Sequence, residues 1–391
     1  MTPSPSASDR ALATLLALHG LAMLVVFPLG PQEARLWQPG IGGVSALAAA
    51  FPLACVLGGI IARRLPRLPS STRTLAALAL FSTLPCLLSY DYESFFAARV
   101  IAGFFAGISY IAIHRILPTT ATAHVARHAP RFIAFGLPFC ILAATALDWR
   151  AAFAPLLVIQ AWLALRAPKQ VPFRPSNTAS DRAEPAPAAL VATGALAAVS
   201  GSYLTVLSGY LVLNAGHTEW HIQAAILLGA FLGLAIPPAV ARLRALLGDG
   251  PAFATTLLGS TLGLTCLLLL REPAPSALAL TLIGAFLALN AARHLGLAGL
   301  ILPRLDPADI SVHQAHTHLA HHLGSGLGAL SAGVLIHVSP GGGILVGMPA
   351  LLAFALASTT LAGASAWAAV ARQAIQPTAT PAATPASANS R

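Results

Sequence analysis

The sequence predicts an all-α integral membrane protein, with twelve transmembrane helices in two six-helix bundles, and three observations carry that prediction. Hydrophobic residues make up 57% of the 391 positions and charged residues only 9%, with a mean hydropathy of +0.77. A soluble globule needs roughly 25% charged residues to coat its surface, so lipid must be the solvent for most of this chain. The apolar residues fall into twelve runs, each near the ~20 residues that a helix needs to cross a bilayer. The basic residues between the runs gather on alternate loops, the pattern that orients helices in a membrane.

The first ten residues are polar with one arginine, Arg10, and the apolar run 11–30 follows. That beginning has the outline of a signal peptide. No small-x-small cleavage site follows it, and eleven more apolar runs do, so 11–30 reads as the first span. Further spans are expected near 43–62, 74–90, 95–114, 131–147 and 151–166, which gives a first bundle over 11–166. Residues 167–187 hold Lys169, Arg174, Asp181, Arg182 and Glu184 among several prolines, the composition of a flexible linker. The second set lies near 188–213, 222–241, 251–270, 276–302, 311–337 and 343–370, giving a second bundle over 188–372. The tail 373–391 is rich in Pro, Ala, Thr and Ser and is expected to be disordered.

With the N-terminus inside, seventeen basic residues fall on cytoplasmic segments and only Arg35, Arg150 and Arg271 on the other side. Arg99 and Arg293 fall within spans. This asymmetry predicts a multi-pass protein of the cell's inner (plasma) membrane with both termini cytoplasmic. It also accounts for the net charge of +10 without a nucleic-acid partner. Cys55, Cys86, Cys140 and Cys266 are dispersed within apolar runs, so neither a disulfide framework nor a zinc site is indicated. No cofactor is expected.

Several motifs fall in order along the first half. The loop after the second span reads Gly58-Gly59-Ile60-Ile61-Ala62-Arg63-Arg64-Leu65-Pro66-Arg67. The fourth span opens Arg99-Val100-Ile101-Ala102-Gly103, with Gly107 a turn later. The fifth holds Gly136-Leu137-Pro138, and Asp148-Trp149-Arg150-Ala151-Ala152-Phe153 follows it. Together these resemble the major facilitator superfamily. The first stretch is similar to its Gly-x-x-x-Asp-Arg-x-Gly-Arg loop, with Arg63 where the aspartate usually stands and Pro66 where a glycine does. The second is similar to its Arg-x-x-x-Gly helix, the third to the Gly-Pro element of its antiporter branch, and the last to its Trp-Arg-x-x-Phe loop.

The resemblance implies a transporter and not an enzyme: two bundles rocking about a midplane site, a monomer in the bilayer, with a small-molecule substrate and protons as partners. It implies a central cavity lined by helices one, four, seven and ten. Here those helices bear His19; Arg99 and Tyr110; Tyr203, Tyr210 and Asn214; and Asn290 and Arg293. Gly59, Arg63, Arg64, Arg67, Gly103, Gly136, Pro138, Trp149 and Arg150 are the expected gating positions. Polar groups in hydrocarbon cost several kcal/mol when unpaired, so the set is expected to face inward, although Tyr and Asn also serve simply to link helices.

No Asp or Glu lies well inside a span; Glu33, Asp91, Glu93 and Asp148 sit at outer ends. Proton coupling would then fall to His19 or to an outer carboxylate near Arg99. The segment His313-Gln314-Ala315-His316-Thr317-His318-Leu319-Ala320-His321-His322 opens span eleven. On a helix His318, His321 and His322 share an arc of about 100°. They are read first as an interfacial, pH-sensitive helix start and second as a metal or anionic-metabolite contact. With His124-x-x-x-His128 and His217-x-x-x-His221 they also resemble the histidine boxes of membrane di-iron desaturases, but the expected topology splits those boxes between two faces. The sequence therefore points to export of a small anionic or metal-chelating, siderophore-like metabolite or drug by proton antiport, with uptake of an organic anion as the alternative and a membrane metalloenzyme as a remote one.

Overall fold

The computed structural model describes residues 6–27, 29, 36–37, 40–65, 67–69, 71–116, 122–167, 187–214, 219–269, 276–305, 310–337 and 344–375. Thirteen α-helices run through them: α1 (Ala7–Leu24), α2 (Gly40–Arg64), α3 (Thr72–Leu88), α4 (Tyr92–Ile116), α5 (Thr122–Ala146), α6 (Ala154–Arg166), α7 (Pro187–Asn214), α8 (Glu219–Leu232), α9 (Ile236–Leu247), α10 (Asp249–Leu269), α11 (Ser276–Ile301), α12 (Ile310–His337) and α13 (Ile344–Ile375). The expected linker beyond Ala167 and the tail beyond Ile375 lie outside the described residues.

The eighth expected span is broken. Residues 223–232 and Ile236–Leu247 meet at 43°. Pro237 and Pro238 stand in the first turn of α9, where a missing N–H costs nothing, but neither could continue the ladder from α8. With α8 and α9 taken as one element the helices make twelve rods, as the hydropathy predicts. Among the described residues, five helices are long and apolar enough to span a membrane, and the bent pair makes a sixth.

Sequence signals set several helix ends. Ser6 caps α1 through a reciprocal box: its Oγ accepts from the Asp9 amide at 3.1 Å, while Asp9 Oδ2 accepts from the Ser6 amide at 3.0 Å. Ser71 caps α3 one way only, its Oγ accepting from the Thr74 amide at 3.4 Å, and Arg73 Nε donates to the Ala167 carbonyl at the close of α6.

Inside each bundle, glycines spaced four apart bring backbones together. On α4, a Cβ at Gly103 or Gly107 would run into the carbonyls of Phe51 and Cys55 on α2. On α12, Gly324 and Gly328 lie likewise against Gly194 and Ala198 on α7. In lipid there is no hydrophobic drive to bring helices together, so close backbone contact of this kind supplies the packing energy. Gly136 on α5 meets Leu21 of α1, and α5 runs unbroken through Pro138.

The two bundles touch along α2 and α12. On the face that carries the N-terminus and most arginines, Ala62, Ile108, Ile111, Ala315 and Leu319 form an apolar plug between them. Toward the other face Thr145 of α5 donates to Gln223 Oε1 of α8 at 3.3 Å. The centre between these two closures is where the polar side chains collect.

Candidate functional site

The histidines of α12 lie deeper than an interfacial helix start would put them. His318 and His322 are eight and twelve residues past Ile310, about 12 and 18 Å along the axis. The shared arc of His318, His321 and His322 points across the bundle interface. The Tyr110 ring of α4 stacks on His318 at 5.0 Å and tilts against His322 at 5.2 Å. His114, one turn beyond Tyr110, meets His318 at 5.1 Å, and His19 of α1 meets Tyr110 at 5.5 Å. On the other side His321 touches the ring of His294 on α11 edge-on at 5.1 Å. A continuous line of rings therefore runs from α11 through α12 to α4 and α1.

The off-arc histidines behave differently. His316 turns back to the Val312 carbonyl at 2.7 Å, and His313 is buried near the helix start.

Two arginines flank the line at different depths. Arg99 is fully buried and donates through Nη1 to the Ala22 carbonyl of α1 at 2.6 Å, with its guanidinium 4.7 Å over the Phe51 ring of α2. Arg293, 1% exposed, donates through Nη2 to the Leu196 carbonyl at 2.9 Å and to Ser200 Oγ at 3.1 Å, both on α7. Asn290, one turn earlier, donates to the same Ser200 hydroxyl at 2.8 Å. Arg293 Nε has no partner among the described residues, and neither do His19 Nε2, His114 Nε2, His294 Nε2 and His322 Nδ1. Buried polar atoms are nearly always satisfied, so water or a solute could partner these atoms.

The expected pathway residues are thus partly assembled. His19, Tyr110, Asn290 and Arg293 meet here, Tyr203 is buried on α7, and Arg99 lies a ring away through Phe51. The side chains of Tyr210 and Asn214 lie outside the described residues. His114, His294 and Ser200 join the site without having been singled out in the sequence. Among the described residues no three His, Cys, Asp or Glu side chains are grouped to hold a metal ion.

The expected gating residues divide. Gly59 sits at the plug, where a Cβ would run into Leu319 of the other bundle. Arg63, Arg64 and Arg67 are exposed and form no ion pair among the described residues, as the missing loop aspartate implies. An arginine–carboxylate pair occurs instead in the second half. Arg244, at the end of α9, pairs with Asp249 at 2.8 Å and donates to the Gly299 carbonyl near the end of α11 at 3.0 Å; Arg304 adds a contact to Asp249 at 3.7 Å.

At the opposite face Trp149 packs edge-on against Trp37 at 4.9 Å and Phe95 at 4.6 Å. Arg150 pairs with Asp148 at 2.5 Å and reaches the Ser89 carbonyl at 3.3 Å. The Arg150 hydrogen bond holds the Asp148 carboxyl below its ordinary value, and hydrogen bonds from Ser94 do the same for Asp91.

At the level of sequence, no protein family and no curated protein matches this chain. Solved structures do. A mutant of the nucleoside transporter NupG superposes with a TM-score of 0.62 at 12% identity, covering 93% of this chain and 99% of its own. A bacterial homologue of the iron transporter ferroportin, in an outward-facing state with soaked iron, gives 0.56 at 16% identity over 94% and 100% of the two chains. The same homologue in an outward-facing state gives 0.54 at 17% identity over 94% and 99%. At these identities the likeness is one of fold. The chain shares the fold of these solved transporters along nearly its whole length, as a bundle of apolar helices.

Proposed function

We propose that this chain is a secondary active carrier that moves a small organic anion across the inner membrane by alternating access, with Arg293 as the anchor for the anion. One observation carries the reading. A guanidinium is buried between α11 and α7, next in the chain to His294 at the end of the line of rings, with two of its partners fixed on α7, its Nε unsatisfied, and no carboxylate partner among the described residues. A fixed cation of this kind in a low-dielectric interior is costly unless an anion visits it. Neighbouring imidazole nitrogens with no partners supply hydrogen bonds for the rest of the solute.

Two directions fit the anion. The Gly136-Leu137-Pro138 resemblance favours export by proton antiport, of an anionic or metal-chelating metabolite. Uptake of the same class is favoured by the makeup of the centre, which holds imidazoles and, among the described residues, no buried carboxylate. The deciding experiment is transport in proteoliposomes under an imposed pH gradient, with labelled lactate, succinate, citrate, benzoate and phosphate. Arg293→Gln should cut transport of the accepted anion by at least about tenfold, a charged buried contact being worth roughly 2–5 kcal/mol, with the thermal unfolding temperature kept near that of the parent. Undiminished transport by Arg293→Gln removes the residue from the site.

A further inference from the structure

We infer that His294 and His321 form a proton-binding pair whose occupancy rises together with that of the anion on Arg293, so that proton and anion travel in the same direction. The inference rests on the anion reading of Arg293 and adds the sign of its coupling. His294 follows Arg293 on α11, and its ring meets that of His321 on α12 edge-on at 5.1 Å. Arg293 lies within electrostatic range of both imidazoles. The pair therefore feels the charge state of the guanidinium more directly than any other bases in the ring line.

The groups that face the pair come from each packed element. His322 on α12 touches His321 directly; His318 on α12, Tyr110 and His114 on α4 and His19 on α1 follow along the line of rings, and Cys55 on α2 and Tyr203 on α7 are buried on neighbouring helices. All of these are neutral in their basic or resting forms. Described side chains of α8 carry no titratable group; Arg244 of α9, Asp249 of α10 and Arg372 of α13 lie at the arginine-rich ends of their helices. Arg99 is held in the first bundle, bonded to the Ala22 carbonyl and stacked on Phe51. Among the described residues, the one fixed charge beside the pair is Arg293.

The sign follows from electrostatics. Without an anion, a proton on either imidazole is repelled by Arg293 and by a proton on the other ring. An anion seated on Arg293 replaces that repulsion with attraction. By Coulomb's law at an effective dielectric near 20, a unit charge about 6 Å from any titrating group changes its protonation equilibrium by about a hundredfold, which sets the scale for a charge on a neighbouring residue. Linkage is reciprocal, so protonation tightens anion binding by the same factor. Antiport needs the opposite sign: a base that must lose its proton before the solute can bind. A carboxylate beside a cationic solute meets that need, and an imidazole beside a guanidinium and an anion does not.

The pair also stands where movement would expose it. His321 continues through His322 at 5.9 Å to Tyr110 on the other bundle. Parting the bundles breaks the Tyr110 contacts and opens the line of rings to water, which gives protons a route to and from the pair.

The test uses the purified full-length chain in detergent with acetate, lactate, succinate, citrate, benzoate and inorganic phosphate as probes, each titrated calorimetrically at about pH 5.5 and about pH 7.5. At least one anion should bind about tenfold or more tighter at the lower pH, and His294→Gln combined with His321→Gln should bring the two affinities to within about twofold. Proton uptake by the unmodified chain, read with an indicator dye in weak buffer, should accompany binding, and that measurement stands even if the double variant fails to fold. Proton release, or no proton change, on binding overturns the inference and leaves the anion reading intact. Equal pH dependence in the folded double variant also overturns it. Failure of every anion to bind at either pH overturns the anion reading itself.

Discussion

A phenylalanine at position 59 should prop apart the arginine-rich face of the molecule. Gly59 lies on α2 directly against Leu319 of α12, inside the plug formed with Ala62, Ile108, Ile111 and Ala315. Swinging the end of Leu319 aside makes room for a methyl group but not for a ring. Overpacking of this size costs about 1–3 kcal/mol, and the cost exists only while α2 and α12 touch. In a carrier that alternates between states the equilibrium should therefore move about 5- to 150-fold toward the state with this face parted. Gly103→Ala is the matched control. Its Cβ would meet the Phe51 backbone, with Phe51 Cα 2.8 Å away, but α2 and α4 belong to one bundle. Its cost is shared by every state, so it should lower the unfolding temperature and leave the equilibrium alone.

Labelling of Ala315→Cys by a membrane-impermeant maleimide, in vesicles of both orientations, reads the parting of this face. Ala315 is buried in the plug, and Cys55, Cys86 and Cys140 are buried, which keeps their background low. The rate should rise with Gly59→Phe and not with Gly103→Ala. An unchanged rate in folded Gly59→Phe, or an equal rise in both, would refute the reasoning.

Three further outcomes are expected. Arg99→Leu should lower thermal stability by about 2 kcal/mol or more, since it strands the Ala22 carbonyl that the buried guanidinium satisfies, while transport per folded molecule should fall far less than in Arg293→Gln. Arg244→Gln should cost about 1 kcal/mol at low salt and less at high salt, because Arg244 and Asp249 are each about a third exposed; Asp249→Asn on top of it should add little, as unfolding curves of the double variant would show. The Asp148 carboxyl is held below its unfolded value, so its contribution is present above about pH 4 and is lost as pH falls through its folded value. The acid limb of the stability curve should therefore be shallower in Asp148→Asn, by well under about 1 kcal/mol because the pair is partly exposed.

Hydropathy alone was enough for the rods, since a helix in lipid must be apolar throughout its length. Where it failed, the reason is local. The break between α8 and α9 was signalled by Pro237 and Pro238, but an apolar run with two prolines keeps its hydropathy while losing its backbone ladder. The arc of His318, His321 and His322 was legible from helical periodicity; what it faces was not, because partners on α4 and α1 are two hundred residues or more away in the chain. His114 and His294 each look like a solitary histidine in an apolar run. Their signals were a tyrosine one turn earlier and an arginine next door. The loop after α2 lacks the aspartate of that motif, and its arginines carry no ion pair among the described residues. Arg242 and Arg244 stand out as an echo of those arginines, but the Arg244–Asp249 pair is not legible, because the two residues straddle Gly248, whose φ of +84° folds the chain back on itself and brings them together.

The two buried arginines, alike on paper, separate once their partners are known. Arg99 is bonded to α1 and stacked on α2 within the first bundle, and Arg293 is bonded to α7 within the second. Neither guanidinium has its described bonds across the interface, so bundles moving as rigid bodies would leave both sets intact. The contacts that must break include those of Tyr110 with His318 and His322, of His114 with His318, of Phe51 with His322, and of Gly59 and the rest of the plug with Leu319 and Ala315. Ring contacts of this kind are worth about 0.5–1.5 kcal/mol each, few enough that a solute with differential affinity for the two states can tip the balance. An anion held by Arg293 and reaching toward Tyr110 would replace these contacts as it forms its own, which is the condition for the solute to move the bundles and not merely occupy them.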